Sequence, residues 1–106
     1  MATESFPAGP PRLSTKEAQI LKLLIEDPSE LYGFDMVERS KGALKLGTLY
    51  TTLNRMEDKG YVTSRKEDPR PGARGLPRRL YRPSGLGSRV YAAYEAAADK
   101  WQEGLV

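Results

Sequence analysis

At Gly60 the spacing of apolar residues changes from that of a helix to that of a strand, and this switch limits the folds open to the chain. Before it, Leu46, Leu49, Leu53 and Met56 recur at three- and four-residue steps, which puts them on one stripe of a helix from Leu46 to Lys59. Gly60 suits the left-handed position that closes a helix. After it, Tyr61–Val62–Thr63–Ser64–Arg65 alternates and is rich in β-formers, so a strand is expected. Arg78–Arg79–Leu80–Tyr81–Arg82 reads as its antiparallel partner. The segment between, Glu67 to Pro77, holds Pro69, Pro71, Gly72, Gly75 and Pro77, too long and proline-rich for a tight hairpin, so it is expected to project and to be mobile.

Upstream, Ser14 and Glu17 match a capping box, and a helix from about Thr15 to Glu26 follows. Ala18, Leu21, Leu24 and Ile25 share its core face, with Ile20 beside them. Asp27–Pro28–Ser29 ends it in a turn. Leu31 to Ser40 reads as a second, short helix that buries Leu31, Phe34 and either Met36 or Val37. Gly33 lowers helix propensity there, which points to close packing or close approach by another backbone. Ser40–Lys41–Gly42 is a short break before the helix that starts at Leu46. Three helices with brief connections describe a helix-turn-helix, and a basic hairpin after it makes a winged helix.

The N-terminal residues 1–12, with Pro7, Pro10 and Pro11, read as a flexible arm, and residues 13–83 as the winged helix-turn-helix domain. Ser84 then caps a last helix, whose Leu86, Val90, Ala93, Tyr94, Ala97 and Trp101 fall on one stripe. From Gly85 to Gly104 it would be roughly 30 Å long, more than so small a domain can cover. The uncovered apolar surface points to an interface with a second copy, which makes residues 84–106 a dimerisation helix. The alternative is a helix folded back onto its own domain. The expected class is mainly α with a small β-hairpin (α+β).

Composition removes several functions. The 106 residues include no cysteine and no histidine, which excludes thiolate metal sites, disulfides, the commonest general base and the commonest metal ligand. No paired carboxylates stand at a catalytic spacing, so neither an enzyme nor a cofactor or metal site is expected. No apolar run approaches the roughly 18 residues needed to span a bilayer, and Met1 to Arg12 has no signal-peptide core; no membrane association and a cytoplasmic location are the expectation. The net charge of +3 is unevenly spread. Gly60 to Pro83 has seven basic and two acidic residues, against ten and twelve elsewhere. A local positive field of this kind suits a polyanion.

Leu31–Tyr32–Gly33–Phe34–Asp35–Met36, the run Leu46–Gly47–Thr48–Leu49–Tyr50 through Leu53–Asn54–Arg55–Met56–Glu57–Asp58–Lys59–Gly60–Tyr61–Val62, and Arg78–Arg79–Leu80–Tyr81–Arg82–Pro83–Ser84 together resemble the PadR family. These are bacterial regulators related to the phenolic acid decarboxylase repressor. The resemblance covers about Leu13 to Trp101 and implies a dimeric winged-helix transcription factor, usually a repressor, with the single C-terminal helix of the short subgroup. It also implies that some members bind small aromatic compounds near the dimer interface, a site that Tyr91, Tyr94 and Trp101 could line; an aromatic stripe at helical spacing is more often interface packing alone.

In this reading the helix Leu46–Lys59 enters the major groove of double-stranded DNA, with Thr48, Tyr50, Thr51, Asn54 and Arg55 as its contacts. Arg55 suits guanine and Asn54 adenine. Tyr50 either touches DNA or supports the core from the flank of the helix. Arg70, Arg74, Arg78 and Arg79 are expected on phosphates or in the minor groove. Lys45 stands where the family often has a serine N-cap; it cannot accept the helix N–H groups and sets a cation against the positive end of the helix dipole. A phosphate would neutralise both, so Lys45 is an expected DNA contact. A homodimer would then read a palindromic operator. The rival is a winged-helix protein-interaction module whose wing arginines meet an acidic protein without specific DNA readout.

Overall fold

The computed structural model describes residues 13–68 and 78–104, with side chains as far as Asp99. Ser14 starts the first helix, α1 (Thr15–Glu26), through the expected reciprocal cap: its hydroxyl accepts the Glu17 N–H at 3.1 Å, and the Glu17 carboxylate accepts the Ser14 N–H at 2.9 Å. Glu17, Ile20, Leu21 and Leu24 follow the i, i+3, i+4, i+7 pattern and are buried, with Ala18 beside them. Ile25 was expected on this face but is exposed, because the buried arc is centred on Ile20 and Leu21, where α1 meets several other elements.

Leu31–Tyr32 is a two-residue strand, β1, and not the first turn of a helix. It pairs with the strand Arg79–Pro83 (Leu31 opposite Tyr81, Tyr32 opposite Leu80), so distant residues and not local pattern fix its conformation. The short helix α2 (Gly33–Arg39) therefore begins two residues later than expected, with the Asp35 carboxylate accepting the Tyr32 N–H at 3.1 Å. Met36 points inward and is fully buried, so Phe34, two residues and about 200° away, faces outward and is 60% exposed. That corrects its expected place in the core.

A turn with Lys41 and Gly42 at positive φ leads to α3 (Leu46–Asp58). The Ser40 hydroxyl braces it, donating to Val37 C=O at 2.7 Å and accepting the Leu44 N–H at 3.0 Å. Leu44 enters the core at this end, and Leu46, expected on the apolar stripe, is left 45% exposed. Leu49, Leu53 and Met56 are buried as the spacing required. Gly60 adopts φ +82 and the Tyr61 N–H returns to Met56 C=O at 2.9 Å, closing the helix in the left-handed manner expected.

The hairpin consists of β2 (Val62–Lys66) and the strand Arg79–Pro83, now β3, paired antiparallel from Val62–Pro83 to Lys66–Arg79. Each strand is shifted by one residue from its expected span. With β1 added, the sheet has the order β1-β3-β2, so β3 is central and buries Leu80 and Tyr81. Arg70 and Arg74 lie outside the described residues, as does the expected arm of residues 1–12.

The last helix, α4 (Gly85–Gly104), is tied to the start of the hairpin. The Ser84 hydroxyl accepts the Gly87 N–H at 2.9 Å and donates to Gly60 C=O, while the Ser84 N–H reaches Tyr61 C=O at 3.0 Å. Val90, assigned from its stripe to contact with a second copy, is fully buried in its own chain, where α4 packs on α1. The winged helix and the base of α4 thus share one packed unit, with four helices and a small antiparallel sheet.

Candidate nucleic-acid interface

The core contacts of α3 through Leu49, Leu53 and Met56 leave its other side outward. Thr48, Tyr50, Thr51, Asn54 and Arg55 are all exposed there. Lys45 occupies the N-cap position in extended conformation and its side chain makes no capping bond. No acidic residue stands in the first turn, so the opening N–H groups of α3 present positive potential, and the Thr48 hydroxyl turns back to Lys45 C=O at 3.3 Å. Gly47 is exposed, and a Cβ added there would meet nothing within 4 Å. The backbone of this turn is open to close approach.

The far end of α3 is held by a charge pair. The Lys59 ammonium donates to the Glu17 carboxylate at 2.9 Å, which ties the helix to the capping box of α1. Burial raises the Glu17 pKa, but the Ser14 N–H and the Lys59 charge outweigh it, and the carboxyl lies below its ordinary value.

Between α3 and the hairpin lies a concavity of about 460 Å³, lined by Tyr32, Phe34, Tyr50, Asn54, Arg78, Arg79 and Tyr81. Two of the expected recognition-helix residues, Tyr50 and Asn54, here meet two of the expected wing arginines, Arg78 and Arg79. Thr51 and Arg55 lie on the exposed face of the same helix, and Lys45 and Thr48 at its N-terminus.

Three arginines of the hairpin, Arg65, Arg78 and Arg79, already hold partners. Arg78 gives two hydrogen bonds to Glu67, at 3.0 and 3.1 Å, and its guanidinium stacks 3.8 Å from the Tyr32 ring centroid. Tyr32 donates its hydroxyl to the same carboxylate at 2.8 Å. The bonds to Glu67 push the Arg78 pKa above its ordinary value, so it stays a cation at any working pH. Arg79 donates to the Ser64 hydroxyl at 2.8 Å, and Arg65 grips Glu30 through two nitrogens. Sequence reasoning did not find Phe34, Tyr32 or Glu67 at this site. The pairing of β1 with β3 places Tyr32 and Phe34, and closure of the hairpin sets Glu67 opposite Arg78; neither leaves a periodic signal.

On α4, Leu86, Ala93 and Tyr94 are half-buried and Ala97 is exposed. Tyr91 and Tyr94 stack with ring centroids 6.2 Å apart, and the Trp101 side chain lies outside the described ones. Among the described residues, no helix is long and apolar enough to cross a membrane.

Comparison with solved structures finds this architecture repeatedly. A PadR family transcription regulator from Clostridium difficile R20291 superposes with a TM-score of 0.72 at 20% identity, over 87% of this chain and 95% of that one. A PadR-like transcription factor from Bacteroides fragilis gives 0.72 at 25% identity, over 84% of each chain. Bacillus subtilis PadR, solved in complex with operator DNA, gives 0.67 at 21% identity; the match covers 79% of this chain and 48% of that longer one. No match is found among curated protein sequences. The family model for PadR-like transcriptional regulators matches residues 20–93, most of the chain. The chain belongs to the PadR-like family of transcriptional regulators.

Proposed function

We propose that this chain is a sequence-specific DNA-binding repressor that acts as a homodimer on a palindromic operator. The observation that carries the reading is the shared concavity, where Tyr50 and Asn54 of α3 border Arg78 and Arg79 of the hairpin. One side supplies hydrogen-bonding groups for base edges and the other supplies cations for the backbone, the division of labour that DNA readout needs. Insertion of α3 in a major groove places Thr48, Thr51 and Arg55 toward bases and Lys45, at its open N-terminus, toward a phosphate. The B. subtilis structure with operator DNA supports the same use of this fold. Ala93, Tyr94 and Ala97, the outward part of the α4 stripe, join two copies and set the spacing of half-sites at about one helical turn.

Selection of bound sequences from random duplex DNA tests the whole reading. A palindromic motif with half-sites about 10 base pairs apart is the expected result. Enrichment of no motif, together with DNA binding that ignores sequence, overturns it.

A further inference from the structure

Glu67 is the first residue after β2 and Arg78 the last before β3, and the Glu67 N–H bonds to Arg78 C=O at 2.6 Å. The two residues face each other at the root of the wing. The carboxylate takes two guanidinium nitrogens at 3.0 and 3.1 Å, the same two-point geometry with which arginine takes a phosphodiester. Tyr32 fixes both partners from the neighbouring strand, with its hydroxyl on Glu67 and its ring under Arg78. Arg78 also lines the wall shared with Tyr50 and Asn54, which is the face assigned above to DNA.

We propose that Glu67 is a built-in competitor for the DNA phosphate at Arg78, and that it thereby sets how tightly the wing grips a duplex. The inference rests on the DNA-binding reading of that face. A phosphate that reaches Arg78 must take over donors the carboxylate already holds, or stand beside a like charge. Either way Glu67 lowers affinity. Because the contact is to the backbone, the penalty is the same for every sequence. The Arg65–Glu30 pair has similar geometry, but neither residue lines the concavity, so it is not part of this competition.

Glu67→Gln is the test, since glutamine keeps the size and an acceptor for the Tyr32 hydroxyl but loses the charge. Binding to the selected operator and to a random duplex is measured at fixed salt, in the parent and in an Arg78→Ala background, with thermal unfolding to show that each variant is folded. The expected result is a gain of about two- to fivefold on both duplexes, as for release of one exposed ion pair. In the Arg78→Ala background the gain shrinks to the general effect of one fewer negative charge. An equal gain in both backgrounds overturns the proposal, and so does weaker or unchanged binding by Glu67→Gln. If the parent binds no duplex even at low salt, the DNA-binding reading fails and the competition fails with it. If the parent binds and Glu67→Gln only matches it, the competition alone fails.

Discussion

A Cβ built on Gly33 would lie 2.5 Å from the Tyr50 hydroxyl oxygen, so the ring of Tyr50 on the third helix rests against the first residue of the second. The expected close packing at Gly33 is this contact. The glycine allows Tyr50 to lie along the concavity between α3 and the hairpin.

Gly33→Ala is therefore expected to act on DNA binding more than on folding. The atoms in the way belong to the far end of a side chain that is 42% exposed, and the ring can swing aside. Stability should change by less than about 1 kcal/mol, within the range of helix propensity. Affinity for the selected operator should fall about fivefold or more, the size of one lost specific contact. In a Tyr50→Ala background the same substitution should cost nothing further, because the clash has gone. Thermal unfolding and operator titration of the four proteins check both halves; a loss of stability without a loss of affinity contradicts the reading.

Gly87 presents the opposite case. A Cβ there would stand 2.0 Å from the Tyr61 carbonyl oxygen, a backbone atom that already accepts the Ser84 N–H and so cannot move freely. Gly87→Ala should destabilise the protein by about 1–3 kcal/mol through overpacking. Gly85→Ala, two residues earlier, meets only the tip of Arg89 at 3.5 Å and should be neutral or stabilising by up to about 1 kcal/mol. Urea unfolding of the two variants should separate them clearly, and similar midpoints would show that α4 is not seated on the hairpin in this way.

Much of this arrangement is local and therefore legible in the sequence. The capping box at Ser14 and Glu17, the stop at Gly60 and the cap at Ser84 each depend on residues within a few positions of one another, and all are observed. The stripe of α3 was readable at Leu49, Leu53 and Met56 for the same reason. What escaped depends on pairing across the chain. Strand β1 exists because Leu31 and Tyr32 find Tyr81 and Leu80, about 50 residues away. Once it is a strand, the phase of α2 shifts, and Phe34 leaves the core for the concavity. In the Glu67–Arg78–Tyr32 cluster the hairpin brings Glu67 to Arg78 and the β1–β3 pairing adds Tyr32, so Arg78 could be read as a cation but not as one already engaged. Val90 had a helical stripe position suited equally to a dimer contact or to its own core; only the packing of α4 on α1 decides in favour of the core.

Glu17 ties stability to pH. Its carboxyl is raised by burial but lowered further by Ser14 and Lys59, and the net is a folded pKa below the unfolded value of about 4.5. A depressed carboxylate contributes stability that is present above the unfolded pKa and lost as pH falls through the folded one. The protein should thus lose stability progressively below about pH 4.5. Glu17→Gln should remove part of that dependence, leaving the share that belongs to Asp27 and Glu30, whose carboxyls are also lowered. Urea unfolding between pH 6 and 3 reads the difference as a shallower slope for the variant. Identical slopes would show that the pair with Lys59 does not survive in solution.

Lys45→Ser should move stability and DNA binding in opposite directions. In the free protein the lysine is a poor N-cap: its side chain makes no capping bond, and its charge faces the positive end of α3. A serine at this position accepts an N–H of the first turn, which should stabilise the fold by about 1 kcal/mol. If folding alone had selected the residue, lysine would be a plain loss. On DNA the balance reverses, because a phosphate at the helix N-terminus meets both the N–H groups and the ammonium. The serine variant should bind more weakly at low salt, and the slope of log affinity against log salt should fall by about one counterion. The comparison is made by titrating the selected operator at several salt concentrations, alongside thermal unfolding. An unchanged slope removes Lys45 from the interface, whereas a lower slope with a higher melting temperature shows stability given up at the start of α3 for a grip on the backbone.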